Sequence, residues 1–311
     1  MIIEILASCP GVNKMLNKFI EKRIYLILAA GILAISFAGV FVAMADAPAI
    51  IIAFYRMFFA IVILTPAFIY RDDCKFKLFI DKRPVIIGFF LAIHFILWVS
   101  AFEYTAVANV VIFIALQPLF TLLFERLWAR EDLRPGIYRG LFIAILGSII
   151  VGAGDLNNLF ASIQGDSLAI MAAFFAGLYL FSGRSLRKKL DYFPYIYTVY
   201  TYATGFLLLA VIFSGQSFTG YSQTNWLLFI GLALGPTVIG HSILNLSVRY
   251  VPATLVSTTA IGEPILTSLL AWILLGDKIP PLTIVGGTII IYGLLYTMRR
   301  NRKNKKLVNS N

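Results

Sequence analysis

Long apolar runs constrain the fold of this chain more than any other feature of its sequence. Runs of about 17–25 residues recur along nearly its whole length, and each could cross the ~30 Å hydrocarbon core of a bilayer as an α-helix. Of the 311 residues 13% are charged, whereas soluble domains carry roughly 25%. We predict an all-α polytopic membrane protein with ten transmembrane helices. The predicted spans are roughly 24–43, 48–69, 84–103, 106–125, 137–153, 167–184, 194–214, 226–248, 253–275 and 282–298.

The positions of the positive charges predict how these spans cross the membrane. If the N-terminus is cytoplasmic, 24 of the 26 Lys and Arg residues fall on the cytoplasmic side, with Lys278 outside and Arg56 inside a span. Basic loops stay on the cytoplasmic side, so we expect a multi-pass protein of the cell inner membrane with both termini cytoplasmic. The net charge of +11 then reflects topology and contact with the lipid bilayer, and no nucleic-acid partner is expected.

The second half of the sequence repeats the first. At an offset of 147 positions, Gly235 matches Gly88 and His241 matches His94. One residue is then dropped, and at an offset of 146 the matches are Pro264 with Pro118, Gly286 with Gly140 and Gly293 with Gly147. Because these matches include prolines, glycines and the only two histidines, they indicate an internal duplication rather than chance similarity of apolar sequence.

Each copy contains five predicted helices, which is an odd number, so the second copy begins on the opposite side of the membrane. The two copies therefore form a 5+5 inverted repeat, an arrangement that places a transporter's substrate site near mid-bilayer between the repeats. The predicted parts are a cytoplasmic N-terminal lead-in at 1–23, a first five-helix repeat at 24–153, a periplasmic joint at 154–166, a second five-helix repeat at 167–298 and a basic cytoplasmic tail at 299–311.

Arg56 and Glu263 are the ionisable residues, apart from histidine, that lie well inside predicted spans. A charged residue at a helix centre costs about 2.5–3.5 kcal/mol on insertion scales, so each should face a cavity or a partner. One interpretation is a structural ion pair between them. In the other, Arg56 binds a substrate carboxylate as a bidentate fork, and Glu263 is a proton-coupling candidate because burial favours the protonated form of a carboxyl group.

Four further polar residues are candidates for substrate binding at mid-depth. His94 and His241 are matched positions of the repeat, and Gln117 is the counterpart of Glu263, each followed by a proline that exposes the carbonyl four residues back. Asn245 lies one helical turn after His241, on the same face. The alternative for the histidines and prolines is a purely structural role in helix packing. A run of tyrosines in the seventh span favours interfacial packing over ligand binding.

The sequence resembles the EamA-type, ten-helix branch of the drug/metabolite transporter superfamily. The residues that carry the resemblance are Tyr250-Val251-Pro252-Ala253, Glu263-Pro264, Leu275-Gly276-Asp277, Pro281, Gly286, Gly293, and Arg56 followed by Phe58-Phe59-Ala60. It covers about residues 24–298 and implies export or exchange of small metabolites, often amino acids, through a central cavity. The sequence departs from the family pattern at Asp277, where the family usually has Glu, and in its histidine pair.

Together these features predict a secondary transporter that exports amino acids or related small metabolites by alternating access. The sequence contains no Walker loop, Gly-x-Ser-x-Gly elbow or His-Glu-x-x-His motif, so we expect no enzyme activity, catalytic residue, metal or cofactor. The alternatives are an importer of a nucleotide-like or cationic metabolite and, in a different class, an intramembrane enzyme or channel. The expected partners are a small-molecule substrate, the bilayer and protons as one candidate for coupling. The oligomeric state is left open between monomer and homodimer.

Overall fold

The computed structural model describes residues 10–69, 82–128, 135–152, 159–187, 192–247 and 262–308, and the regular structure within these ranges is helical throughout. The α-helices, numbered in chain order, are α1 (Pro10–Met44), α2 (Ala49–Ile69), α3 (Lys82–Ala101), α4 (Val107–Ile114), α5 (Gln117–Leu127), α6 (Pro135–Gly152), α7 (Leu159–Arg187), α8 (Tyr192–Ser214), α9 (Gln223–Leu232), α10 (His241–Ser247), α11 (Gly262–Leu275) and α12 (Pro281–Val308). A π-helix (Ala233–Gly240) joins α9 to α10.

The helices of the described ranges agree with an all-α membrane protein. Seven stretches there are long and apolar enough to cross a bilayer. They are Arg23–Met44, Ala49–Ile69, Lys82–Ala101, Val107–Leu127, Ile163–Gly183, Phe193–Ser214 and Gln223–Leu244. Shorter apolar helices, Tyr138–Val151, Gly262–Leu275 and Pro281–Tyr296, overlap the other three predicted spans. The all-α class is therefore confirmed, and the count of ten crossings stays a prediction.

Helices α1 and α12 extend beyond the predicted first and last spans. Helix α1 starts at Pro10, within the predicted lead-in, and its backbone leaves helical geometry at Arg23 (φ −120°, ψ 17°), one residue before the predicted span. Helix α12 continues to Val308, through most of the predicted basic tail. The predicted boundary at residue 23 thus coincides with a kink in α1, and the predicted boundary at residue 299 lies inside α12.

Helix α7 begins at Leu159, inside the segment predicted to be the periplasmic joint. Two of its residues contact Thr105 of the first repeat. A Cβ on Gly165 would lie 2.8 Å from the Thr105 Cβ, so only glycine allows this approach, and Thr105 Oγ1 donates to Asp166 Oδ1 at 3.0 Å. The helix therefore includes part of the segment that the sequence assigned to the joint, and this part contacts the first repeat.

Prolines interrupt two of the predicted spans near mid-membrane. Proline has no N–H and cannot bond to the carbonyl four residues back. For Pro118 that carbonyl belongs to Ile114, the last residue of α4, and for Pro236 it belongs to Leu232, the last residue of α9. The chain resumes as α5 after Pro118, whereas around Pro236 it adopts the wider π-helix.

Helices α6 and α12 pack through the glycines that the repeat predicted. A Cβ on Gly147 would lie 2.7 Å from the Gly286 carbonyl oxygen, and one on Gly293 would lie 2.7 Å from the Gly140 carbonyl oxygen. Small residues allow such close approach of helices in lipid. Because Gly147 corresponds to Gly293 and Gly140 to Gly286, the two contacts join the same matched positions of the sequence repeat.

The two halves of the chain also pack against each other elsewhere. Helix α3 packs on α7 and α8, while α1 packs on the π-helix, α10 and α11. At the start of α4, the Val107 N–H donates to Asp277 Oδ2 at 3.3 Å, and Thr283 Oγ1 donates to buried Asn109 Oδ1 at 2.7 Å. The region enclosed between the halves is therefore lined by both.

Candidate functional site

A cavity of about 270 Å³ lies between the two halves. Its walls are largely apolar, with Leu91, Phe95, Trp98 and Ile196 among the lining residues. The polar and ionisable residues of its lining are Arg56, His94, Gln117, Tyr179, Tyr195, Tyr200, His241 and Glu263. Small-molecule sites occupy roughly 300–1,000 Å³ and combine apolar walls with a few polar groups. The cavity is slightly smaller than the lower end of this range, which suits a small metabolite.

The structure brings five of the six predicted binding residues to this cavity. Arg56, His94 and Gln117 come from the first half, and His241 and Glu263 from the second. The sixth, Asn245, is on α10, but its side chain lies outside the described residues. Residues more than 200 positions apart in sequence therefore line one space, as expected for the interface of an inverted repeat.

Arg56 is held from several sides but leaves part of its guanidinium uncommitted. Its side chain is 2% exposed, and Nε donates to Thr237 Oγ1 of the π-helix at 2.8 Å. The Cζ atom lies 4.5 Å from the ring centroid of Phe95 and 5.2 Å from that of Trp98, both within cation–π range. The Nη1 atom is buried and has no hydrogen-bond partner among the described residues.

No ion pair joins Arg56 to Glu263 or to another carboxylate in the part of the chain that the structure describes. The two residues nevertheless line the same cavity. The direct pairing that the sequence left open is thus not formed in this conformation. An arginine inside a span without a bonded carboxylate is an uncompensated buried charge, and an anionic partner would stabilise it.

His94 has a defined tautomer. Its Nδ1 lies 2.9 Å from the carbonyl oxygen of Ala172 on α7. A carbonyl oxygen can only accept, so Nδ1 carries the proton and Nε2 is the acceptor in a neutral ring. His94 therefore links the two halves by a hydrogen bond and retains one acceptor nitrogen at the cavity.

Gln117 lies at the N-terminus of α5, and Glu263 lies near the first described residue of α11, with a proline directly after each. At the start of a helix proline is favoured because its missing N–H would have had no intrahelical partner. The positive end of α5 thus approaches the cavity and favours negative charge there.

Sequence reasoning underestimated the aromatic residues of the site. Tyr195 and Tyr200 of α8 line the cavity, while Tyr197 on the same helix stacks on Phe68 at 3.9 Å and is 3.0 Å from Thr65 Oγ1. Some tyrosines of this run therefore line the cavity and others pack against a neighbouring helix, and the residue type alone does not show which does which. Thr237 was missed as well, and the preceding proline was the one signal that could have found it.

Among the described residues, no group of three or more His, Cys, Asp or Glu side chains could hold a metal ion. The two histidines and Glu263 line the cavity without forming such a group. The polar lining instead presents hydrogen-bond donors and acceptors around an apolar space, an arrangement that can bind and release a small organic molecule.

Comparison with known proteins agrees with this fold. YdfC, an uncharacterized transporter of Bacillus subtilis (strain 168), is 25% identical over 191 residues, which span 60% of this chain and 61% of YdfC. YxxF, another uncharacterized transporter of the same organism, is 22% identical over 228 residues, or 71% of this chain and 72% of YxxF. The chain thus matches about three fifths of the length of the first of these relatives.

A solved structure, titled only as the crystal structure of a protein, has the same fold. It superposes with a TM-score of 0.63 at 17% sequence identity and covers 88% of this chain and 96% of its own. The model of the EamA-like transporter family matches twice, over residues 22–153 and 163–299. The resemblance found in the sequence is confirmed, because one family model matches each half in turn. This multi-pass membrane protein belongs to the EamA-like transporter family.

Proposed function

We propose that this transporter exports amino acids or closely related small metabolites by alternating access. The observation that carries the proposal is the state of Arg56. Its guanidinium is buried at the cavity wall, its Nη1 atom has no hydrogen-bond partner, and no carboxylate of the described residues forms an ion pair with it. A substrate carboxylate would supply the missing negative charge through two parallel N–H···O bonds.

The energetics favour an anionic group on the substrate. Leaving one charge of a buried pair without its partner costs about 3–5 kcal/mol, and the positive end of α5 adds to the potential that attracts an anion. The volume of about 270 Å³ suits a small metabolite. A carboxylate with a modest apolar side chain fits both the cation and the apolar walls.

Glu263 gives the proposal its coupling mechanism. It lines the same cavity from the second half, where it could hold the ammonium group of an amino acid whose carboxylate is on Arg56. The same carboxylate can instead take a proton, but it cannot hold both. Proton and substrate would therefore compete for Glu263, and this competition is the requirement for export of an amino acid in exchange for an entering proton.

The origin of the lining residues supports alternating access. Its polar residues come from both halves, so rocking of one half against the other would open the cavity to one side and close it to the other. No part of this cycle needs a nucleotide. The gradient alone would drive export.

The experiment that tests the proposal is uptake of standard L-amino acids and their amides into inside-out vesicles, with the lumen made acidic. We expect accumulation of amino acids but not of amides. Replacing Arg56→Gln should lower carboxylate uptake roughly 30-fold or more, since loss of one partner of a buried charged pair costs about 2–5 kcal/mol. The control is Arg139→Gln, which removes an exposed arginine away from the cavity.

Two results would contradict the proposal. In the first, a folded Arg56→Gln protein transports carboxylates at the wild-type rate. In the second, substrates accumulate only in right-side-out vesicles, which would favour the importer.

A further inference from the structure

The orientation of Arg56 depends on a residue that does not itself line the cavity. Thr237 is 2% exposed and lies in the middle of the π-helix, where its hydroxyl contacts Nε of Arg56. We propose that Thr237 is a positioning residue that determines which edge of the guanidinium meets the substrate. This inference rests on the proposed role of Arg56 as the carboxylate-binding group.

The hydrogen bonds of Thr237 follow from the proline before it. Pro236 leaves the Leu232 carbonyl without its usual helical donor. Thr237 Oγ1 donates to that oxygen at 2.9 Å, across the five-residue spacing of a π-turn. A hydroxyl has one proton, so towards Arg56 the Thr237 oxygen can only accept. The irregular backbone therefore fixes the direction of the Thr237 lone pair.

The bond to this lone pair determines which N–H groups of Arg56 remain available to a substrate carboxylate. Nε is committed to Thr237 at 2.8 Å, and Phe95 and Trp98 lie near the guanidinium carbon. Arg56 makes no other hydrogen bond among the described residues. Because Nε is occupied, a carboxylate would bind through the Nη edge of the guanidinium, and a two-point contact would require Nη1, which is buried in this conformation, to become accessible.

The arrangement also reduces the entropic cost of binding. A free arginine side chain loses rotamer entropy when it is immobilised. With Nε bonded and the rings nearby, most of this loss occurs before the substrate enters. Preorganisation of this kind increases affinity without a new contact to the ligand. π-Helical segments frequently occur at functional sites, and here the segment would act by orienting the binding cation.

The test compares Thr237→Val, which removes the hydroxyl but keeps the shape, with Thr237→Ser, which keeps the hydroxyl. The readout is the ratio between the apparent KM of each transported L-amino acid and the inhibition constant of its amide as a competitor of that transport. We expect Thr237→Val to reduce the carboxylate preference about 10-fold, equivalent to about 1.4 kcal/mol, and Thr237→Ser to retain it. Thr204→Val is the matched control, because Thr204 is a buried threonine whose hydroxyl has no hydrogen-bond partner in the described structure.

A double-mutant cycle separates an effect on the orientation of Arg56 from a general loss of structure. It compares Thr237→Val in the wild-type protein with Thr237→Val in an Arg56→Lys protein, so it also controls for a single variant that folds poorly. In an Arg56→Lys background there is no Nε to orient, so Thr237→Val should have no further effect on the preference. An undiminished effect in that background would overturn the inference, as would the same loss of preference in Thr204→Val.

The inference can fail without the proposed function failing. If Arg56→Gln abolishes the carboxylate preference while a folded Thr237→Val protein keeps it, Thr237 has no positioning role and Arg56 remains the binding group. If Arg56→Gln also keeps the preference, or if no amino acid is transported, the proposed function itself is wrong and the inference falls with it.

Discussion

At the scale of single residues, Glu263 should separate coupling from binding. Glu263→Gln keeps the side-chain shape but cannot release a proton, so accumulation driven by an acidic vesicle lumen should be lost. Exchange of labelled for unlabelled substrate without a gradient should continue, with a raised KM. The control is Glu103→Gln, because Glu103 is exposed and away from the cavity. A Glu263→Gln protein that still follows the pH gradient would exclude Glu263 as the coupling residue.

The cavity residues that could be predicted from the sequence are those whose charged or strongly polar side chains are unfavourable in contact with lipid. An arginine, a glutamate, two histidines and a glutamine inside apolar spans need a polar surrounding, and all five line the cavity. Thr237, Tyr195 and Tyr200 gave no such signal. Threonines such as Thr198 and Thr201 satisfy their hydroxyls on carbonyls of their own helix, so a threonine in a span carries little information about its surroundings.

At the scale of helices, the contact between α6 and α12 should be sensitive to a single methyl group. Gly147→Ala would place a Cβ 2.7 Å from the Gly286 carbonyl oxygen, and overpacking of this kind typically costs about 1–3 kcal/mol. Gly205→Ala is the control, because nothing lies within 4 Å of its added Cβ and alanine is the better helix former.

Thermal unfolding in detergent measures both variants. We expect a lower midpoint for Gly147→Ala, an unchanged or higher one for Gly205→Ala, and the same substrate preference in both. An altered preference at unchanged stability would assign this contact to the site rather than to packing.

The start of α4 offers a second test at this scale. Thr283→Val removes the hydroxyl that donates to buried Asn109 Oδ1, and an unsatisfied buried acceptor costs about 1–3 kcal/mol. Thr288→Val on the same helix removes an exposed hydroxyl that bonds only within α12. Chemical denaturation should therefore show a loss of stability for Thr283→Val and little change for Thr288→Val. Equal stabilities would mean that this bond contributes nothing to joining the halves.

The breaks in the helices were only partly predictable. The sequence located Pro118 and the Ile114 carbonyl that it releases, and α4 does end at that carbonyl. The carbonyl predicted to be released by Pro264, that of Ala260, lies outside the described residues. The break at Pro236, where α9 ends at Leu232 and a π-helix follows, was not predicted. There the released Leu232 carbonyl accepts a hydrogen bond from the Thr237 hydroxyl. The helical structure of residues 159–166 was also not predicted, and Gly165 and Asp166 of this stretch contact Thr105, which is remote in sequence.

At the scale of the whole molecule, the orientation in the membrane is open to direct measurement. In a background without Cys9 and Cys74, Gln216→Cys in the exposed loop after α8 should react with a membrane-impermeant thiol reagent in intact cells. A protein that retains only Cys74 should react only after the membrane is made permeable. The reverse pattern would invert the topology and contradict the charge bias on which it rests.

The π-helix belongs to one repeat only. Its counterpart in the first repeat, residues 86–93, lies within the regular helix α3. If the halves rock as proposed, the two open states of the cavity are not related by the pseudo-two-fold rotation of the repeat, because the wider turn that contacts Arg56 is present in one repeat and not at the matched positions of the other. The outer and inner mouths should then differ in intrinsic substrate affinity. Such a difference would not change the equilibrium distribution of the substrate, which the gradients alone determine. It would make the substrate concentration for half-saturation differ between the two faces of the transporter.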